Sequence, residues 1–368
     1  AGIIWVGEEG VFSEAGAPYP PGLAEFGIDL ARLIVVRARK REETLQSVPI
    51  AITAFTEATI EAAGIDSVEE IAQLTPGFTF TPLFGGGAAT PVIRGQSTTI
   101  GEPNVGFFLD GVYQSTRSLM DAVLGDDIAR VEIVKGPQSA LYGRNTFGGA
   151  VNIISRPPGN DMSLRATAEI GEYGSFGLKA SANFPLIDDK LFARFGVNYR
   201  KSDGYFTNNL NGQNLDTRRS AILSGTIEAR PSDALTIRLR VAHDNTDDGD
   251  DAIVFADNNA RPFNLTGAPF PAANQIFIGE LKSPTTFAVT PGHNDRDLTA
   301  SSLAIDLDLG GVTLTSITGY NDLHIDAAVD LDYSAVRARY TKTINDTSEV
   351  SQELRLTSNG DSRFSWLA

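Results

Sequence analysis

Past residue 160, apolar residues occupy every second position of several long segments, which are 175–184, 190–200, 235–241 and 302–309. The positions between them carry mostly serine, asparagine, arginine, lysine and aspartate. Strict alternation predicts β-strands with one apolar face and one polar face. An antiparallel barrel in a membrane has this pattern, and so does a soluble β-sandwich. We favour the barrel, because the strands are long and their polar face carries many charges.

The connections between these segments alternate in length. Residues 185–189 and 231–233 read as tight turns, whereas 202–216 and 246–295 are long and polar. Short turns at one end and long loops at the other are typical of outer-membrane barrels. Roughly eight strands precede the start of a ninth near residues 363–366, whereas a barrel that encloses a folded domain needs about 22. We therefore expect an incomplete transmembrane β-barrel, the N-terminal part of a longer protein.

Residues 40–157 have a different, mixed pattern that predicts an α+β domain. Residues 48–55 are rich in strand formers. Residues 56–64 and 67–77 read as two helices, the first ended by Gly64 and the second capped by Ser67 with Glu70 three residues later. Further strands are expected near residues 91–95, 105–110, 130–134 and 150–155.

Residues 1–39 read as an atypical N-terminal extension, followed by the domain at 40–157 and the partial barrel at 158–368. Within the extension, a strand, a short helix and a second strand make residues 1–32 faintly resemble RecA-like cell-division-inhibitor and mutagenesis-accessory proteins. The segment has no G-x-x-x-x-G-K motif, so no nucleotide site is predicted. An unusual extension or a fused fragment is the simpler interpretation.

Composition excludes several classes of function. The net charge of -16 disfavours nucleic-acid binding, and the absence of cysteine excludes disulfides and thiolate metal sites. No apolar run of about 18 residues is present, so no transmembrane helix is expected. No G-x-S-x-G or H-E-x-x-H motif occurs, and the acidic run 244–251 does not fit a calcium loop. We expect neither an enzyme, nor a cofactor, nor a bound metal.

Short motifs follow one another in a fixed order, at residues 46–50, 74–77, 93–95, 108–112, 128–137, 142–145 and 148–153. Each is weak alone, but their order and spacing resemble the TonB-dependent receptor family. The resemblance covers residues 34–368 and is most specific over 46–157. It implies a plug domain followed by an antiparallel transmembrane barrel in the outer membrane of a Gram-negative cell.

The resemblance also implies a function. Members of the family actively take up a scarce nutrient, most commonly a ferric siderophore, with energy from the periplasmic TonB complex. The expected partners are a TonB-type transducer, outer-membrane lipid and an iron chelate or similar small ligand. Cobalamin, haem and oligosaccharides are alternative cargoes. A soluble plug-like binding module with a β-sandwich is the alternative of another class.

An extended segment near the N-terminus aligns with the TonB box, which in the family pairs with a strand of the transducer. The segment consists of Ile34, Val35, Val36, Arg37 and Ala38. It departs from the usual pattern, since Leu33 stands where an acidic residue is common and Arg37 where threonine is common. A plain linker strand is therefore the alternative.

Two arginines and one loop are further candidates from the resemblance. Arg94 and Arg144 are expected to face carboxylates on the barrel wall, with an ion pair inside the domain as the alternative. Residues at the tips of the plug face external ligand in the family. The candidates here are Phe80, Phe84, Gln96 and Ser97, and an ordinary loop is the other interpretation.

The remaining motif residues are expected to shape the plug itself. Asp110 and Gly111 are a turn pair between two strands, and Glu132 and Lys135 are expected to form an ion pair inside the domain. The full set of structural motif residues is Gly95, Asp110, Gly111, Glu132, Lys135, Gly136, Pro137, Tyr142, Gly143, Gly148, Gly149 and Asn152.

Overall fold

The computed structural model of the chain describes residues 35–36, 43–44, 51–65, 67–81, 89–98, 101–115, 128–208, 211–249, 286–287, 291–330, 340–359 and 366–368. The predicted strand–helix–strand extension at residues 1–32 lies outside them, as does most of the long loop 246–295. The proposed domain boundaries at 39/40 and 157/158 therefore stay predictions.

The N-terminal domain is a small α+β unit, as the mixed pattern predicts. Two short strands precede it, β1 (Val35–Val36) and β2 (Glu43–Thr44). Its strands are β3 (Ile52–Thr56), β4 (Phe78–Thr81), β5 (Thr90–Ile93), β6 (Val105–Leu109), β7 (Val112–Gln114), β8 (Ile128–Lys135) and β9 (Gly149–Ser155). Its helices are α1 (Glu57–Ala63), α2 (Val68–Gln73) and α3 (Ser139–Tyr142). The sequence pattern did not predict β4 or α3, whereas the turn pair Asp110–Gly111 predicted the strand β7 that follows it.

A five-stranded sheet in the order β3-β8-β9-β6-β7 forms the centre of this domain. All seven residues of β9 are buried, as its mostly apolar residues favour for a central strand. Ile71 of helix α2 belongs to the same buried cluster as Phe78, Val131 and Ile153. The domain thus buries a core of its own.

Both longer helices begin where the capping residues predict; α1 also ends at the predicted Gly64, whereas α2 ends at Gln73, before the predicted stop at Pro76. The Thr56 side chain accepts a hydrogen bond from the amide of Thr59 (3.4 Å), and Gly64 ends α1 with a φ of 64°. The Ser67 side chain accepts from the amide of Glu70 (3.2 Å) at the start of α2. Both N-caps satisfy an amide that a first helical turn leaves without a partner.

The second half of the chain forms one large antiparallel sheet. Eight strands lie side by side in it in chain order, and two of the connections between them contain further short strands. The eight strands are β10 (Ser163–Ile170), β11 (Phe176–Ile187), β12 (Leu191–Ser202), β15 (Arg218–Ser232), β16 (Leu235–Gly249), β18 (His293–Asp308), β19 (Val312–Asp330) and β20 (Tyr340–Ser358). The short strands in these two connections are β13 (Phe206–Asn208), β14 (Asn214–Leu215) and β17 (Thr286–Phe287), which form a separate three-stranded sheet.

The two faces of the large sheet differ as the alternation predicts. The apolar face is exposed at Leu223, Ile227, Leu239 and Val241. The polar face is buried at Arg194, Thr226, Glu228 and Arg240. Because cross-strand partners share a face, the pairs Ile227–Leu239 and Thr226–Arg240 continue each face from strand to strand.

The β-sandwich alternative is wrong for the described residues. All eight long strands hydrogen-bond within one sheet, and it is the polar face that contacts the N-terminal domain. A sandwich would instead bury its apolar faces against each other. The predicted α+β domain followed by partial barrel strands is confirmed.

The strand connections also follow the prediction. Tight turns join β11 to β12, β15 to β16 and β18 to β19, whereas the connections from β12 to β15 and from β16 to β18 are long. The expected ninth strand lies mostly outside the described residues. The last three residues pair with β20, where the Leu356 amide donates to the Ala368 carbonyl (2.9 Å). Among the described residues, no helix is long and apolar enough to cross a bilayer.

Candidate functional site

The hairpin of β6 and β7 is closed by the two-residue turn Asp110–Gly111. Both residues have positive φ, 50° and 86°, as a type I′ turn requires. The Asp110 carboxylate accepts hydrogen bonds from the amide (2.8 Å) and the hydroxyl (2.7 Å) of Ser155 at the end of β9. The turn is therefore fixed to the neighbouring strand, and its geometry is the one expected from the sequence.

This hairpin contacts the polar face of the large sheet. The Arg240 Nε lies 3.9 Å from the Asp110 Oδ2, and the Asn321 side-chain amide donates to the Tyr113 carbonyl (3.4 Å). The Ile317 side chain lies close to Gly111, where a Cβ would come within 3.0 Å of it. Sequence reasoning identified the turn but missed these partners, because no local signal tells which strand a turn will meet.

A second contact joins α1 to the start of the large sheet. Arg165 of β10 forms ion pairs with both Glu57 and Glu61, one helical turn apart. Arg156, in the segment between the two parts of the chain, pairs with Glu57 as well. Burial, and then the nearby Arg194 and Arg165, lower the pKa of Arg156 to about 10. In this contact the N-terminal domain contributes the carboxylates, and the start of the large sheet with the segment before it contributes the cations.

A buried polar cluster holds β8 to β9. The Glu132 carboxylate is fully buried and forms an ion pair with Arg130 (2.7 Å), and the Asn152 amide donates to it (3.2 Å). The expected Glu132–Lys135 ion pair is wrong. Residues three apart in a strand point to opposite faces, whereas Arg130, two residues away, shares the face of Glu132.

Lys135 instead lies at the end of β8, where its ammonium donates to the Pro76 carbonyl (2.9 Å). Burial, and then the positive charge of Arg94, lower the pKa of Lys135. The Gly136 amide donates to the Gly148 carbonyl (2.9 Å). At Gly149 a Cβ would lie 2.3 Å from the Val134 carbonyl oxygen, so only glycine allows β8 and β9 to approach this closely.

The remaining structural motif residues surround α3. The Tyr142 ring packs at 4.9 Å from the Phe108 ring, and burial raises the pKa of the Tyr142 phenol. Gly143 follows α3 with a φ of 84°. Pro137, before the helix, is exposed.

The two candidate arginines contact their own domain in the described residues. Arg94 and Gly95 have φ values of 52° and 76° and form the tight turn after β5, with Arg94 exposed beside Gly136. Arg144 lies 3.9 Å from Glu102 and stacks over the Tyr113 ring (5.4 Å). Their contact with the barrel wall stays a prediction.

The candidate ligand-facing residues are dispersed. Phe80 packs on the domain core, 5.2 Å from the Phe78 ring and 6.4 Å from the Phe107 ring. Gln96 and Ser97 are exposed beside the turn at Arg94, and Phe84 lies outside the described residues. Within the described part of the chain, no group of three metal-ligating carboxylates or imidazoles occurs.

The segment aligned with the TonB box is described at two residues. Val35 pairs with Thr44 and Val36 with Glu43 in an antiparallel two-residue ladder. Ile34, Arg37 and Ala38 lie outside the described residues. Val35 and Val36 are thus extended, and the coupling role of the segment stays a prediction.

Comparison with known proteins agrees with this geometry. The TonB-dependent receptor plug domain family matches residues 44–150. The structure is similar to that of the ferric yersiniabactin uptake receptor FyuA from Yersinia pestis, with a TM-score of 0.70 and 19% identity over 85% of this chain and 46% of that chain. Residues 44–150 therefore belong to the plug domain family of TonB-dependent receptors. Residues 51–155 are therefore called the plug domain below, and localisation in the Gram-negative outer membrane is confirmed.

Curated relatives are named as receptors and transporters for several different ligands. The pesticin receptor of Yersinia pestis is 23% identical over 56% of this chain and 31% of its own length. The vitamin B12 transporter BtuB of Vibrio vulnificus is 28% identical over 48% of this chain and 28% of its own length. The chain spans about a third of the length of these relatives, whose names describe receptors and transporters.

Proposed function

We propose that the whole protein is a TonB-dependent receptor that actively takes up a scarce nutrient, most commonly a ferric siderophore, across the outer membrane. The observation that carries this proposal is the plug domain docked by Asp110 and Tyr113 on the polar face of a sheet whose other face is apolar. Such a sheet can meet lipid on one side and a polar lumen on the other.

The mechanism requires no covalent chemistry. Ligand bound on the external side changes the order of the plug's N-terminal segment, which then pairs with a strand of the periplasmic transducer. Traction on that segment displaces the plug and opens a path. In this chain the segment with Val35 and Val36 precedes β3, an edge strand of the plug sheet that pairs with β8.

Iron is the cargo that the similar structures favour. They include the ferric yersiniabactin uptake receptor of Yersinia pestis, a siderophore receptor of Acinetobacter baumannii and the ferripyoverdine receptor of Pseudomonas aeruginosa. Relatives named for hemin and vitamin B12 keep haem and cobalamin as alternatives.

The experiment uses deletion of the gene in its own host, with radioiron uptake from ferric siderophores measured under iron limitation. We expect iron uptake to be lost in the deletion strain. In a strain that lacks TonB, we expect iron uptake to be lost while the ligand still binds at the cell surface. Haem and cobalamin uptake are measured in parallel. Two outcomes would contradict the proposal. One is iron uptake that persists in the strain without TonB. The other is a deletion strain in which the uptake of iron, haem and cobalamin is all unchanged.

A further inference from the structure

The chain has three histidines, and all of them lie on one face of the large sheet, at the end that carries the long connections. This end of each strand is called its outer end below. His243 follows Leu239 and Val241 at alternate positions of β16, so it lies on the same face as these apolar residues. The strand register places His293 of β18 and His324 of β19 on that face too.

Each histidine lies against an aspartate of the neighbouring strand. The distances between ring nitrogen and carboxylate oxygen are 3.7 Å for His243–Asp297, 3.0 Å for His293–Asp326 and 2.6 Å for His324–Asp346. The three pairs therefore connect β16 to β18, β18 to β19 and β19 to β20 in succession. A protonated ring makes each contact an ion pair across two strands.

Without those charges, the aspartates of this face repel one another. Asp247, Asp295 and Asp326 stand directly opposite one another on three neighbouring strands, and like charges in that position destabilise a sheet. His293 lies on the same strand and face as Asp295, two residues before it. The row of carboxylates thus has one titratable cation at its side.

His324 has the most acidic surroundings of the three. It stands directly opposite Asp297 of β18 on one side and Asp346 of β20 on the other. Asp322 and Asp326 lie two residues before and after it on the same face of β19.

Permanent cations offset only part of this negative charge. Among the described residues of these outer ends, the permanent cations on this face are Lys342 of β20 and Arg219 of the adjacent β15. Lys342 already pairs with Asp326 (2.9 Å), and Asp330 adds a further carboxylate at the end of β19. The charge balance of the face therefore depends on the protonation of the histidines.

Histidine changes its charge between about pH 5 and 8, whereas aspartate stays ionised throughout that range. A neighbouring carboxylate favours the protonated ring. The pairs therefore stabilise the outer ends most in mild acid, and this contribution is lost as the pH rises and the rings release their protons.

We propose that the three histidine–aspartate pairs form a pH-sensitive latch, which holds the outer ends of β16, β18, β19 and β20 together in mild acid and releases them above neutral pH. The long connection between β16 and β18 begins and ends at these strand ends, as does the connection between β19 and β20. The latch thus determines how firmly both connections are anchored. It depends on the strand register and not on which cargo the receptor carries.

The test measures hydrogen-exchange protection factors at pH 5.5 and pH 7.5 in the whole receptor, expressed from its own gene and purified in detergent. A protection factor is corrected for the pH dependence of exchange itself, so it reports opening of the structure. In the wild type, amides of residues 294–299, 322–328 and 342–348 should be about three- to tenfold better protected at pH 5.5, as a few exposed ion pairs imply. Amides of residues 302–307 and 314–319, nearer the tight turn, should not change.

The triple variant His243→Gln, His293→Gln and His324→Gln keeps polar side chains but cannot become charged, so it should lose the difference between the two pH values. Lys342→Gln is the matched control. It removes a permanent cation from the same face, so protection should fall equally at both pH values and the ratio between them should stay as in the wild type.

The single variants His324→Gln and His324→Lys decide the matter should the triple variant fail to fold. The lysine stays charged, so it should keep the acid level of protection at pH 7.5, whereas the glutamine should not. Three outcomes overturn the proposal: equal protection of the wild type at both pH values, a triple variant with the wild-type pH dependence, or equal protection in the two single variants at pH 7.5. Radioiron uptake is measured separately, so a failed latch leaves the receptor function standing.

Discussion

Gly319 of β19 lies directly against Val112 of the plug domain, and a Cβ at position 319 would come within 2.4 Å of the Val112 Cγ1. The Ser351 hydroxyl on the neighbouring strand would be 2.6 Å away on the other side. Because Gly319 has no side chain, the large sheet has a notch at this residue, and the plug hairpin packs into it. Together with Arg240 near Asp110 and Asn321 at Tyr113, this notch determines how closely the two parts approach.

We expect Gly319→Ala to loosen the plug, because even one methyl group must displace Val112 or Ser351. The measurement is the entry of a large antibiotic that the intact outer membrane excludes, and it should rise several-fold without a change in receptor abundance. Gly225→Ala is the control, since its Cβ would meet the Phe195 ring at an ordinary 3.6 Å. Equal permeability of the two variants would show that the notch does not hold the plug.

The carboxylates of α1 should contribute to docking as well. Exposed ion pairs contribute about 0–1 kcal/mol each, but Glu57 is shared by Arg156 and Arg165, so we expect Glu57→Ala to cost roughly 1–2 kcal/mol. Limited proteolysis of the plug in isolated outer membranes measures the loss. Glu69→Ala on α2 is the control, and a double-mutant cycle with Arg165→Ala isolates the pair. A coupling free energy near zero would contradict the prediction.

Inside the plug, Glu132 should matter far more than any surface carboxylate. Its side chain is fully buried with Arg130 and Asn152, and removing one partner of a buried ion pair costs about 3–5 kcal/mol. We expect Glu132→Ala to lower the hydrogen-exchange protection of amides in β8 and β9, whereas the exposed Gln73→Ala on α2 should leave it unchanged. Protection equal to the wild type would mean that the cluster is not stabilising.

Local patterns predicted the parts of this fold that depend on neighbours in the chain. The caps at Thr56 and Ser67, the turn at Asp110 and the alternating faces of β16 all follow from spacing and residue type. What the sequence did not reveal are contacts between distant segments. Nothing near Gly319 indicates Val112, and nothing near Glu132 indicates Asn152 on the neighbouring strand.

The same limit applies to the candidate site. The resemblance directed attention to Arg94 and Arg144 as plug cations that meet wall carboxylates. In the described residues the contacts have the opposite polarity, with Glu57 and Asp110 on the plug and Arg165 and Arg240 on the large sheet. The sequence alone could not show which part contributes the carboxylates and which the cations, because the plug domain and the large sheet each contain acidic and basic residues.

Backbone hydrogen bonding at the N-terminal segment offers a test of energy coupling. Strand addition needs the amides of the segment, and proline removes one of them. We expect Val36→Pro to abolish radioiron uptake while ligand binding at the cell surface is retained. Val36→Ala keeps the amide and should transport at a rate near that of the wild type. Normal radioiron uptake by the proline variant would show that residues 34–38 are not the segment that couples to the transducer.

The apolar face of the large sheet provides the last prediction. Leu239 is exposed near the middle of β16, between Arg238 and Arg240 on the polar face. In a lipid bilayer an arginine at this depth costs about 2–4 kcal/mol, so Leu239→Arg should reduce the amount of folded protein in the outer membrane. Thr236→Arg is the matched control, because Thr236 pairs with Asp306 on the polar face, where a new cation has a carboxylate opposite. Gel mobility of unheated samples measures the folded fraction. Equal loss in both variants would mean that the two faces do not differ in their surroundings, and lipid contact along β16 would be excluded.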